Sequence, residues 1–151
     1  MKTKVIFLGL CGVLYSDRTE YAYGARPLPA QPSTWDKFDP VAIDLLKKAV
    51  RETGAAIVLS SEWRSSANLD ALEWRLGIRF DGTTRPAREY DSRGQQVADW
   101  LNQYPEVNRY AILDDSTDVL PLQACHLVRT STRNGFLISH CEALIALLGR
   151  E

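Results

Sequence analysis

The sequence predicts an α/β fold, a three-layer sandwich in which helices cover both faces of a mostly parallel central sheet. Three observations lead there. Short apolar runs rich in β-forming residues recur along the chain, segments with helical spacing separate them, and clusters of polar residues stand directly after the runs.

The first run, Lys4 to Leu10 (KVIFLGL), is almost continuously apolar, as suits a central strand buried on both faces, and it ends at Gly12. From Val13 to Phe38 no period is sustained, and Gly24, Pro27, Pro29 and Pro32 interrupt it, so residues 13–38 read as a long loop or small flap with aromatic content. Asp39-Pro40 then signals a helix start, a capping carboxylate followed by proline in the first turn. Val41, Leu45, Ala49 and Val50 keep helical spacing up to Gly54. Ala55 to Leu59 is a second buried strand.

Leu69, Leu72 and Leu76 mark the next helix, closed by Gly77, where glycine allows a left-handed cap. A short apolar piece, Ile78 to Phe80, leads into a polar loop over Asp81 to Ser92. Gln95 to Tyr104 carries Val97, Ala98 and Leu101 at helical spacing and stops at Pro105. Tyr110 to Leu113 is a third buried strand ending in Asp114-Asp115, His126 to Arg129 a fourth, and Ser139 to Leu148 a closing apolar-faced helix.

Length and composition narrow the function classes. With 151 residues, 45% apolar and 25% charged, the chain suits one domain, residues 1–151, with one sizeable core. A formal net charge of −1 gives no general basic field for a nucleic-acid backbone, which leaves local patches. Cys11, Cys125 and Cys141 are odd in number, show no CxxC spacing and follow no secretory leader, so a reducing, cytoplasmic setting is expected. No apolar run approaches the roughly 20 residues of a membrane-spanning helix.

In parallel sheets ligands bind beyond the carboxyl ends of the strands. Residues 11–18, Ser60 to Arg64 and Asp114 to Asp118 all follow strand ends and are expected to converge on one edge.

Four segments in order then carry a resemblance: KVIFLGLCGVL, VLSSEWR, RGQQVADWL and AILDDSTD. They resemble the four motifs of the haloacid dehalogenase (HAD) superfamily. The likeness is to its small branch without a large cap domain, associated with nucleic-acid-end repair and including phosphatase domains akin to that of phage polynucleotide kinase. The resemblance covers nearly the whole chain and implies a Rossmann-like, HAD-like sheet.

The family's first motif, Asp-x-Asp-Gly-Val-Leu, supplies a nucleophile and a proton shuttle. Those positions here are Gly9 and Cys11. Gly9 has no side chain, so no aspartyl-phosphate can form there. Cys11 is either an alternative nucleophile, given a depressed thiol pKa, or a small residue filling a strand end. Ser60 or Ser61 matches the second-motif hydroxyl that contacts a phosphoryl oxygen, with helix capping as the competing role. Arg64 suits phosphate or an internal salt bridge, and Arg93 falls near the third motif's phosphate-neutralising cation or is a solvated helix-start residue.

Asp114 and Asp115 stand where the family holds Mg²⁺, and adjacent acids at a strand end call for a cation, an arginine or a helix N-terminus. Without a carboxylate at position 9, weak Mg²⁺ binding is expected, helped by the Cys11 carbonyl. Asp118 is a substitute ligand or a cap. In the flap, Tyr15, Tyr21, Tyr23 and Trp35 alternate with Arg18, Arg26 and Lys37, a mixture that suits either base stacking with phosphate contacts or a protein contact. Trp63, Trp74 and Trp100 are expected to pack.

Two functions follow. One is a binding module without aspartate-nucleophile phosphatase activity, holding a phosphorylated ligand, a nucleic-acid end or a protein partner. The other is a hydrolase with altered chemistry, using Cys11, a flap carboxylate such as Asp17 or Glu20, or a water near Asp114 and Asp115. The absent nucleophile favours the first.

Overall fold

A computed structural model describes residues 2–151 and contains a five-stranded, wholly parallel sheet in the order β3-β2-β1-β4-β5. The strands are β1 (Lys4–Leu8), β2 (Ala56–Leu59), β3 (Gly82–Thr83), β4 (Arg109–Asp114) and β5 (Leu127–Arg129). The helices are α1 (Asp17–Tyr23), α2 (Pro40–Thr53), α3 (Leu69–Leu76), α4 (Arg93–Gln103) and α5 (Ile138–Leu148). β1 lies at the centre, and the chain leaves it toward β2 on one side and β4 on the other. Its carboxyl end is thus the point where strand order reverses.

The strands are apolar almost throughout because both faces are covered. Ile6, Leu8, Ile57, Leu59, Ala111 and Leu113 face the larger core, built with α2, α3 and α5. Val5, Phe7, Ala56, Val58 and Ile112 face α4 through Val97, Trp100 and Leu101. Successive residues of a strand point to opposite faces, so the unbroken apolar runs follow directly from the three-layer arrangement.

Helix boundaries follow local chemistry. Asp39 Oδ1 accepts from the Val41 and Ala42 amides and Pro40 opens α2, while Gly54 ends it in the left-handed region. Asn68 caps α3, and Ser92 caps α4 by accepting from Gln95 N. No helix is long and apolar enough to cross a membrane.

Several expectations are corrected. The flap over 13–38 is not an irregular loop. Ser16 and Thr19 form a reciprocal capping box that starts α1, and residues Pro32–Lys37 make a 3₁₀ turn. The turn signals had hidden a helix only seven residues long. Tyr15 and Trp35 are buried, so neither offers a stacking face: Tyr15, Trp35, Phe38 and Trp63 pack with ring centroids 5.3–6.1 Å apart. Trp74, expected to pack, is 85% exposed because it lies on the side of α3 opposite Leu72 and Leu76. The polar stretch after Phe80 contributes the short edge strand β3, and Ile78 is buried without being in a strand. His126 belongs to a 3₁₀ turn that precedes β5.

Candidate functional site at the carboxyl edge

The paired register ends at Leu8, Leu59, Thr83 and Leu113 where these strands meet. The next residues, Thr84, Ser60, Gly9 and Asp114, form one cross-strand row that continues the ladder. Gly9 N donates to Leu113 O, Ser60 N to Leu8 O and Thr84 N to Leu59 O, at 2.9–3.0 Å. By strand alternation this row faces α4, whose first residue is Arg93.

At the middle of the row, Gly9 brings no side chain, and Asp114 fills the space. A Cβ built on Gly9 would stand 2.9 Å from Asp114 Oδ2. Asp114 is 1% exposed, and its Oδ2 accepts from Arg93 Nη1 while its Oδ1 accepts from Ser116 N at 3.0 Å. Burial pushes the Asp114 carboxyl above its ordinary value, and Arg93 pulls it back in part. Arg93 is therefore the internal partner of Asp114, not the solvated helix-start residue that the sequence also allowed. Its own amide donates to Asp118 Oδ2 at 3.0 Å, so Asp118 serves as a cap at the start of α4.

Arg64 is likewise engaged inside the protein, though with carbonyls instead of an acid. Its Nη1 donates to Ser60 O and Ser61 O, and its Nη2 to Arg85 O and Gln96 Oε1, at 2.6–3.0 Å. Burial, and then the nearby Arg93 charge, lower its pKa. Arg64 fastens the turn after β2 to the connection after β3 and to α4, so it positions the edge. Ser61 caps the short turn Glu62–Ser65 by accepting from Trp63 N, whereas Ser60 is fully buried and its hydroxyl has no partner among the described residues. The Thr84 hydroxyl in the same row is also buried and unpartnered.

In front of the row, residues 10–15 turn tightly. Gly12 has φ +74°, and any Cβ there would collide with the Asp115 carboxylate, so only glycine fits. Thr130 Oγ1 donates to Gly12 O at 2.6 Å, and Thr132 Oγ1 to Asp115 Oδ2 at 2.7 Å. These contacts place Cys11, Ser61, Trp63, Arg93 and Asp115 around a cavity of about 340 Å³, closed on the far side by residues 26–29. Arg26 stands 5.6 Å above the Tyr15 ring and pairs with Glu20 through Nε, 2.9 Å from Oε2. Burial pushes the Tyr15 phenol up to about 12, so it stays protonated and accepts from Trp63 Nε1 at 3.4 Å. Asp17 lies instead on a separate groove with Arg18, Tyr21 and Arg133.

The sheet edge thus gathers Cys11, Ser60, Ser61, Arg64, Asp114 and Asp115, which stand at or after strand ends, together with Gly9 and with Arg93, which arrives from the start of α4. Sequence reasoning missed Gln96, Thr84, Thr130 and Thr132. Gln96 left a faint signal, an amide directly before the apolar stripe of α4. The threonines left none, since their partners are distant in sequence.

A parallel five-stranded sheet with four ordered motifs at its carboxyl edge and no evident cap defines a small HAD-like α/β domain. A family model described as the HAD domain in Swiss Army Knife RNA repair proteins matches residues 5–141. The chain belongs to that family. No curated protein and no solved structure matches it.

Proposed function

We propose that this chain is a HAD-like binding module, one domain over residues 1–151, that lacks aspartate-nucleophile phosphatase chemistry. Its ligand is a phosphate-bearing molecule or a protein partner held in the cavity between the first-motif turn and residues 26–29. The family's link to RNA repair makes a phosphorylated RNA end the leading ligand. One observation carries the reading: the space that an attacking carboxylate at position 9 needs is taken by Asp114, buried and locked to Arg93. Positioning groups lose most of their rate effect when the attacking group is gone.

The residues present do not fit the divalent cation that the fold family uses. Gly9 supplies no donor, one Asp114 oxygen faces a guanidinium, and the other faces a backbone N–H. Asp115 is turned to Thr132. Among the described residues no three metal-ligating side chains cluster. In this reading Arg93 provides the positive charge at the edge, and ligand binding does not require Mg²⁺. Free Cys11, Cys125 and Cys141 suit a reducing, cytoplasmic setting.

A second reading, a hydrolase with altered chemistry, rests on Cys11, whose exposed thiol lines the cavity with Arg26 and Arg93. The flap carboxylates serve it less well, because Glu20 pairs with Arg26 and Asp17 lies outside the cavity.

Phosphate release separates the two. The native chain and its Gly9→Asp/Cys11→Asp variant are given an aryl phosphate and 3′- or 5′-phosphorylated oligoribonucleotides with Mg²⁺, and binding of the same oligonucleotides is followed with EDTA. The expected outcome is background release by the native chain, together with oligonucleotide binding that depends on the terminal phosphate. Native turnover that equals or exceeds the variant's, and disappears in Cys11→Ser, would establish the second reading instead.

A further inference from the structure

At the opposite, amino edge of the sheet lies a cavity of about 350 Å³ that the HAD motifs do not touch. Its apolar floor comes from Val50, Ala55, Ile57 and Ile78, and Lys2, Lys47, Arg51 and Arg79 ring it. The rim carries four of the chain's 18 Lys and Arg residues against one acid, Asp81. Lys2, Lys47 and Arg51 form no salt bridge among the described residues, and the one acid of the wall, Asp81, stands 3.5 Å from Arg79. Lys47 Nζ reaches across the left-handed end of α3 at Gly77, and a Cβ there would stand 2.7 Å from it, so the glycine leaves that ammonium its place on the rim.

We propose that this cavity is a second binding site, for a nucleoside phosphate whose apolar body rests on the floor and whose phosphate meets the cationic rim. Three cations without a salt bridge around a concave surface raise the local positive potential, which suits a compact anion. The volume lies within the ordinary range for small-ligand sites, roughly 300–1,000 Å³, and the apolar floor gives a nucleoside a burial that inorganic phosphate cannot use. A free nucleotide and the same unit within an RNA strand share this chemistry. The site stands on its own residues and not on the reading of the carboxyl edge.

The test is isothermal titration of the full chain with AMP, adenosine and a single-stranded oligoribonucleotide bearing hydroxyl ends. The proteins are wild type, Lys47→Glu/Arg51→Glu, the milder Arg51→Gln/Arg79→Gln, and Arg133→Gln, a control cation outside this cavity. AMP is expected to bind wild type and Arg133→Gln alike, at least tenfold more tightly than adenosine. Charge reversal should weaken AMP at least tenfold, and neutralisation less, in variants whose melting shows them folded. If the oligoribonucleotide binds and AMP displaces it, the site takes a unit of a strand; if it does not bind, the site takes the free nucleotide. The proposal fails if wild type binds neither AMP nor the oligonucleotide at millimolar concentration. It also fails if adenosine equals AMP, if both rim variants bind as wild type does, or if Arg133→Gln weakens AMP as much as charge reversal.

Discussion

At the carboxyl edge of the sheet Arg26, Arg64 and Arg93 all have partners inside the protein, on Glu20, on three carbonyls with Gln96, and on Asp114. At the amino edge Lys2, Lys47 and Arg51 have none among the described residues. The two edges hold the same kind of charge, yet the first uses it to maintain its own geometry and the second leaves it open to solvent. Sequence motifs mark the edge where the arginines are internally committed. The open cations, at positions 2, 47 and 51, become a group only because α2 and the segments that precede β1 and β3 meet there.

The largest way to break this contrast is to remove the wall of the carboxyl-edge cavity. Trp63 is 4% exposed and touches three other aromatic rings, so Trp63→Ala is expected to cost about 3–5 kcal/mol. Hydrogen exchange should then rise over residues 13–38 well before it rises in the sheet. Uniform exchange throughout would mean that the flap does not depend on this cluster.

Replacing Arg93 comes next, since removing one member of a buried ion pair leaves an uncompensated charge. Arg93 keeps some solvent contact, 24% of its side chain, so Arg93→Gln is expected to cost about 2–3 kcal/mol at neutral pH, below the fully buried range. The pH dependence sharpens this. Burial already raises the folded Asp114 carboxyl above 3.8, and without the guanidinium it rises further. The native variant then keeps a proton that the unfolded chain has released, so its stability falls as pH climbs above the ordinary carboxylate value. Urea denaturation at pH 4.5 and pH 7 should show the gap to wild type widening at the higher pH. A constant gap would mean that the pair contributes nothing to the burial of Asp114.

The smallest effect is expected at the amino edge. Arg51 is exposed and unpaired, so Arg51→Ala should change stability by no more than about 0.5 kcal/mol in the same denaturation experiment. A loss as large as that of Arg93→Gln would show that the two edges do not differ in the way their contacts indicate.

Most of the sheet was legible because a strand covered on both faces must be apolar along its whole length, as Lys4–Leu8 and Arg109–Asp114 nearly are. α2 was legible through the Asp39-Pro40 start and the Gly54 end. α1 was missed because Ser16 and Thr19 build a capping box ahead of a segment too short to show a period, and β3 because two residues leave no alternation. The burial of Tyr15 and Trp35 was not legible because it depends on packing against Trp63, which no local pattern links to them.

By itself the sequence determined the α/β class and the positions of Ser60 to Arg64 and of Asp114-Asp115 at or directly after strand ends, since these follow from periodicity. Only the tertiary structure decided that Arg93 pairs with Asp114, that Arg64 binds carbonyls, and that four scattered cations ring one cavity. Each of those outcomes requires side chains far apart in the chain to meet across a sheet or between helices, and local propensity carries no record of such meetings.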